Sequence, residues 1–154
     1  IYPTLVLKDT PLAEQYRAGT YVPMSLEDAV ALCSDLLSVF KPAGVRVIRL
    51  GLHDSEEVAN RLAGPYHPAF AELCYSRLFC NRLVQVLQAE QGPFGQVTVA
   101  VSPRERSKAV GQKKSNQKAL FAQGWDCRFI DDDTLAEGAF RVEWGTGKEV
   151  VVCS

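Results

Sequence analysis

The sequence predicts an α/β chain, and three observations carry that prediction. A short apolar strand, an amphipathic helix and a β-branched run follow one another in the first third of the chain. A valine alternation then opens a segment that reads strand, helix, glycine turn, helix, strand. Two further strand-like runs around Gly145-Thr146-Gly147 close the chain as a hairpin.

Leu5-Val6-Leu7 reads as a buried strand, broken by Asp9-Thr10-Pro11. Leu12 to Arg17 reads as a brief helix ended by Gly19. Ser25 opens S-L-E-D, a capping box with Asp28 at the reach-back position. Ala29, Leu32, Cys33, Leu36, Leu37 and Phe40 recur at helical spacing up to Lys41-Pro42-Ala43-Gly44. The run V-R-V-I-R-L-G-L from Val45 to Leu52 predicts a second strand, parallel to the first in a βαβ unit. Ser55 is expected to cap a helix from Glu56 to Leu62. Gly64-Pro65-Tyr66-His67-Pro68 is a rigid turn. Phe70, Leu73, Cys74, Leu78, Leu83, Val86 and Leu87 then carry a helix to about Gln88. Pro93 to Gly95 is the expected internal boundary. Beyond it, Val97, Val99 and Val101 mark a strand, with helices at 104–110 and 115–123 and strands at 127–130, 140–144 and 150–153.

The chain has 154 residues, 47% hydrophobic and 23% charged, with a formal net charge of −1. That fits one globular domain, or two small ones sharing a core. It excludes a polycation built for nucleic acid, though not a local basic patch. No apolar run reaches the ~20 residues of a membrane span. No basic and apolar leader follows Ile1, so no signal peptide is expected, and the chain reads as a cut-out of something longer. Cys33, Cys74, Cys80, Cys127 and Cys153 are scattered without C-x-x-C spacing. Each is expected to be a buried, inert thiol, which implies a reducing, cytoplasmic setting.

Few residues suggest chemistry. His53 and His67 are the only histidines, and either can serve as a general base. His67, at a helix start, is read first as a ring bonded into its own turn. A metal site from His53, His67 and a carboxylate has no spacing signature. Asp131-Asp132-Asp133 is read as a solvated turn, since consecutive carboxylates point apart. The stronger signal is basic. Arg104, Arg106, Lys108, Lys113, Lys114 and Lys118 crowd the segment around Gly111, against Glu105 alone. Basic side chains around a glycine turn can hold a phosphate backbone. V-G-Q-K-K-S-N there resembles the G-x-x-G loop of KH domains, which clamps single-stranded nucleic acid. Lys114 replaces the second glycine, which restores charge and blocks close backbone approach.

Three ordered blocks carry a wider resemblance. Tyr2-Pro3-Thr4-Leu5-Val6-Leu7-Lys8-Asp9-Thr10-Pro11-Leu12, with Tyr16 to Tyr21 after it, is similar to a stretch of radical S-adenosylmethionine proteins related to the Elongator catalytic subunit. V-R-V-I-R-L-G-L and A-G-P-Y-H-P-A-F-A-E-L-C-Y-S-R-L-F resemble bacterial members of that group, and the basic C-terminal segment resembles their tail. The resemblance implies the last βα units of a partial β/α barrel; the residues' own pattern adds after them a small KH-like α+β segment and a C-terminal β-hairpin. It divides the chain into a barrel portion, 1–92, and an accessory domain, 93–154. It also ties the lineage to parallel pairing of the first two predicted strands.

The family's [4Fe-4S] cluster needs a C-x3-C-x2-C loop, and this chain has none. The resemblance therefore implies a C-terminal fragment of an iron–sulfur oxidoreductase, inactive alone. S-adenosylmethionine and the cluster belong to its parent, and no cofactor is expected in this chain. Lys8, after the first strand, and Arg49, near the end of the second, can face a cofactor or substrate carboxylate. The expected partners are the upstream half of the same polypeptide, RNA (tRNA included) at the basic segment, and a second copy of the isolated fragment. The rival functions are a KH-like RNA-binding module with Arg104, Arg106, Lys108, Gly111, Lys113, Lys114 and Lys118 as its contacts, and a purely structural docking domain.

Overall fold

A computed structural model describes residues 1–90 and 95–153, apart from the Glu57 side chain. The chain is mixed α/β, with two sheets and helices. It divides into two compact units, 1–74 and 75–154. The boundary falls inside one helix, between Cys74 and Tyr75. Of the boundary expected from Pro93 to Gly95, Pro93 lies outside the described residues, and Gly95 opens a strand.

In the first unit, β1 (Val6–Leu7) leads into α1 (Pro11–Arg17). Thr10 makes the junction. Its hydroxyl donates to Leu7 O at 2.7 Å and accepts from Ala13 N–H at 3.2 Å, which caps a helix whose first residue, proline, has no N–H to satisfy. Ser25 caps α2 (Leu26–Phe40) in the same way, accepting from Asp28 N–H at 3.0 Å. The Asp28 carboxylate accepts from the Ser25 hydroxyl at 2.6 Å rather than closing the expected reach-back. α2 buries Ala29, Cys33, Ser34 and Leu37, while Leu32 is 48% exposed. Its predicted stripe is thus only partly covered.

The second predicted strand is corrected. Residues 45–50 form no strand, and Ile48 is 84% exposed. Two bonds remain: the Ile1 amino group donates to Arg49 O at 2.7 Å, and Gly51 N–H donates to Ile1 O at 3.0 Å. That is the pattern of one parallel pair, Ile1 opposite Leu50. The next donor that such a ladder needs from the opening segment falls on Pro3, which has no N–H. The parallel pairing therefore stops after one residue.

β1 instead pairs antiparallel with β2 (Arg61–Ala63), Val6 opposite Ala63. This overturns the helix expected from Glu56 to Leu62. Ser55 does cap, accepting from Val58 N–H at 3.2 Å, but the helix it opens, α3 (Glu56–Ala59), is a single turn. Lys8 N–H takes Asn60 O at 3.1 Å, and the chain turns into the ribbon. α4 (Phe70–Ala89) follows the proline turn, in which His67 Nδ1 accepts from Ala69 N–H at 3.1 Å. The Tyr66 hydroxyl donates to Asp54 at 2.6 Å, and the Arg61 guanidinium lies 4.1 Å over its ring.

The second unit is built on a four-stranded mixed sheet in the order β4-β3-β5-β6. β3 (Gly95–Val101) runs parallel to β4 (Trp125–Asp131) and antiparallel to β5 (Phe140–Trp144). β5 and β6 (Glu149–Val152) form the expected hairpin. The registers place Val97 beside Cys127 and Trp144, and Val99 beside Phe129 and Val142, on one face. That face is buried in one cluster with Phe79, Leu83 and Leu87 of α4. Thr98, Arg128, Arg141 and Glu143 occupy the other face, which is polar around the buried Ala100. The Asp131–Asp133 turn is pinned: Asp132 accepts from the Thr134 N–H and hydroxyl, and Arg141 bridges to it at 2.8 Å.

Candidate functional site

The connection from β3 to β4 holds every residue of the predicted basic set. Pro103 begins a short 3-10 turn, then come α5 (Arg106–Val110), a turn at Gly111, and α6 (Ser115–Ala122). Gly111 has φ +78°, and a Cβ there would sit 2.4 Å from Ser115 Oγ and 2.8 Å from Asn116 N. Only glycine fits that turn. Lys113 and Lys114 follow at φ +53° and +62°, a conformation that strains any residue with a Cβ. Lys114 thus occupies the left-handed site that a second glycine would fill without strain.

Asn116 locks this turn from inside. It is 6% exposed, and its Nδ2 lies within 3.0–3.1 Å of Ser76 O, Ser76 Oγ, Lys108 O and Ala109 O. The Ser76 hydroxyl donates to Lys108 O at 2.8 Å. Gln117 Nε2 donates to Cys127 O at 3.1 Å and ties α6 to β4. A buried amide with several acceptors is costly to remove, so the turn is preorganised.

The predicted cations fall into two groups. Arg106 pairs with Asp131 at 2.9 Å, and Lys108 pairs with the nearly buried Glu105. Glu105 also accepts from Gly138 N–H at 3.2 Å, so Lys108 belongs to a structural knot. Arg104, Lys113, Lys114 and Lys118 are exposed and have no ion pair among the described residues. Sequence reasoning could not separate these groups, because Asp131 lies twenty-five residues from Arg106. It also passed over Asn116, whose burial depends on Ser76, forty residues away.

Lys8 and Arg49 are exposed in the first unit. Lys8 follows β1 as expected, whereas Arg49 lies in the segment that forms no strand. Among the described residues, neither side chain makes an ion pair with a carboxylate. The cysteines are mostly as expected: Cys33, Cys74, Cys80 and Cys127 are buried, but Cys153 is exposed. Burial, with Cys33 beside it, pushes the Cys74 thiol up to about 12. Burial, with Asp126 and Cys80 nearby, does the same to Cys127. Among the described residues, no group of three or more His, Cys, Asp or Glu side chains is placed to hold a metal. The donor set does not fit an iron–sulfur cluster, which needs three accessible thiolates.

These features define a mixed α/β protein with a preorganised basic turn and no cluster-binding loop. The chain belongs to the Radical_SAM C-terminal domain family, whose model matches residues 1–79, just over half of its length. No curated protein and no solved structure matches it. The family match stands although the first predicted strand pairs antiparallel with β2 and not with the 45–52 run, so a parallel ladder there does not define the lineage.

Proposed function

We propose that the chain is a C-terminal fragment of a radical S-adenosylmethionine iron–sulfur oxidoreductase of the bacterial, Elongator-related kind. Alone it is not catalytic, and it contributes substrate or partner binding to a cytoplasmic parent. The observation that carries this reading is the family match over 1–79 in a chain without a cysteine triad. In this reading residues 1–92 complete the parent's barrel, with the upstream half of the polypeptide as partner. Lys8 and Arg49 are then contacts for a cofactor or substrate carboxylate. Among the described residues no helix is long and apolar enough to cross a membrane. Anaerobic iron–sulfur reconstitution tests the reading. The chain should stay colourless, and adding the upstream region should yield a cluster. A brown product from this chain alone overturns it.

A second reading is favoured by the four exposed, unpaired cations around the Gly111 turn. Here residues 93–154 are a KH-like module for single-stranded RNA such as tRNA, which presents a nucleotide to the parent's active site. Filter binding at two salt concentrations tests it. Affinity should fall steeply with salt, as phosphate contacts require. No binding at low salt ends this reading. The exposed Ile48, Val39 and Leu32 of the first unit support docking or self-association of the fragment, which sedimentation would detect.

A further inference from the structure

The aromatic residues of the second unit are mostly interior. Among those described, Phe79, Trp125, Phe129, Phe140 and Trp144 are buried, and Tyr75 is 37% exposed beneath the Lys108 ammonium. Phe121 stands apart at 67% exposed. A lone exposed phenylalanine needs no explanation. Its position supplies one. Asn116 and Leu120 turn inward from α6, so its outer side carries Lys118 and Phe121. These are three residues apart and so are neighbours on the helix surface. The strained pair Lys113 and Lys114 sits in the turn that feeds this helix.

We propose that the outer side of α6 is a platform for a single nucleic-acid strand, with Phe121 stacking on an unpaired base and Lys113, Lys114 and Lys118 holding the flanking phosphates. An acidic peptide would use the ammonium groups and leave the ring idle. A duplex would present phosphates but no free base face. Of these three polymers, a single strand is the one whose every unit offers charge and an aromatic plane together. The proposal rests on the RNA reading above and adds a base contact to it.

The test uses the chain with poly(U), inorganic polyphosphate and polyglutamate as probes. Phe121→Ala and Phe121→Leu should each weaken poly(U) binding about tenfold, as loss of one base stack does. Polyphosphate binding should not change. Lys118→Gln should weaken both and lower the salt slope for poly(U) by about 0.7. Unchanged poly(U) affinity in both Phe121 variants overturns the platform while leaving the RNA reading intact. Equal losses for poly(U) and polyphosphate in the Phe121 variants also overturn it. Polyglutamate binding as tight as poly(U) reduces the surface to a general anion patch and overturns it too. Absence of poly(U) binding by the unaltered chain removes the RNA reading itself.

Discussion

At the residue scale, the basic turn depends on one missing side chain. A methyl group on Gly111 would enter the space of Ser115 Oγ and the Asn116 amide, and the backbone there is left-handed. Gly111→Ala should therefore cost about 1–3 kcal/mol, measured by urea denaturation. An unchanged midpoint would show that the turn relaxes freely. The glycine was legible in the sequence from its place between two helical stretches. Its reason was not, because the clash is with Asn116, whose side chain is held by Ser76 and Lys108. Likewise the sequence supplied a capping serine at 25, since a cap is a local contact three residues long. It could not reveal that Arg106 is paired with Asp131, which is distant in the chain.

At the element scale, Asp132 couples the end of β4 to β5. The Thr134 hydroxyl and then its N–H hold this carboxyl below the usual carboxylate range, and Arg141 adds to the effect. The folded state therefore prefers the ionised form. Its contribution is present in full above the ordinary carboxylate value, near 4, and is lost as pH falls through the depressed value. Asp132→Asn should lower stability at neutral pH, and the difference from the unaltered chain should shrink in acid. A pH-independent difference would remove the charge from this account. Elements with strong alternation were readable in the same way as the caps. Val97, Val99 and Val101 announced β3, and Phe140 to Trp144 announced β5. β2 was not readable, because three residues have no period and it exists only through its pairing with Val6 and Leu7. The V-R-V-I-R-L run shows the converse. Strong β-propensity makes no strand where the facing segment offers a proline in place of a donor.

At the scale of the whole molecule, the five thiols report on how tightly the chain is packed. Four are buried, Cys33 beside Cys74 and Cys80 near Cys127, and Cys153 alone is exposed. An aromatic disulfide reagent at neutral pH should label one thiol rapidly in the native chain, and five after denaturation. Fast labelling of four would mean that the helices carrying Cys33, Cys74 and Cys80 are loosely packed. The fold class was legible at this scale because the alternation between strand-like and helix-like segments survives in the sequence. The division between Cys74 and Tyr75 was not, because it falls inside a continuous helix that carries no glycine or proline to mark it.

The sheet order has a consequence for how the protein is made. β3 is synthesised first of the four strands yet sits inside the sheet, between β4 and β5. While a ribosome is still adding residues before Trp144, Val97, Val99 and Val101 lack one of their two flanking strands. For that interval the nascent chain carries an apolar ribbon with an open side, the state most prone to pairing with a neighbour. Any polypeptide ending short of the last hairpin inherits that hazard permanently.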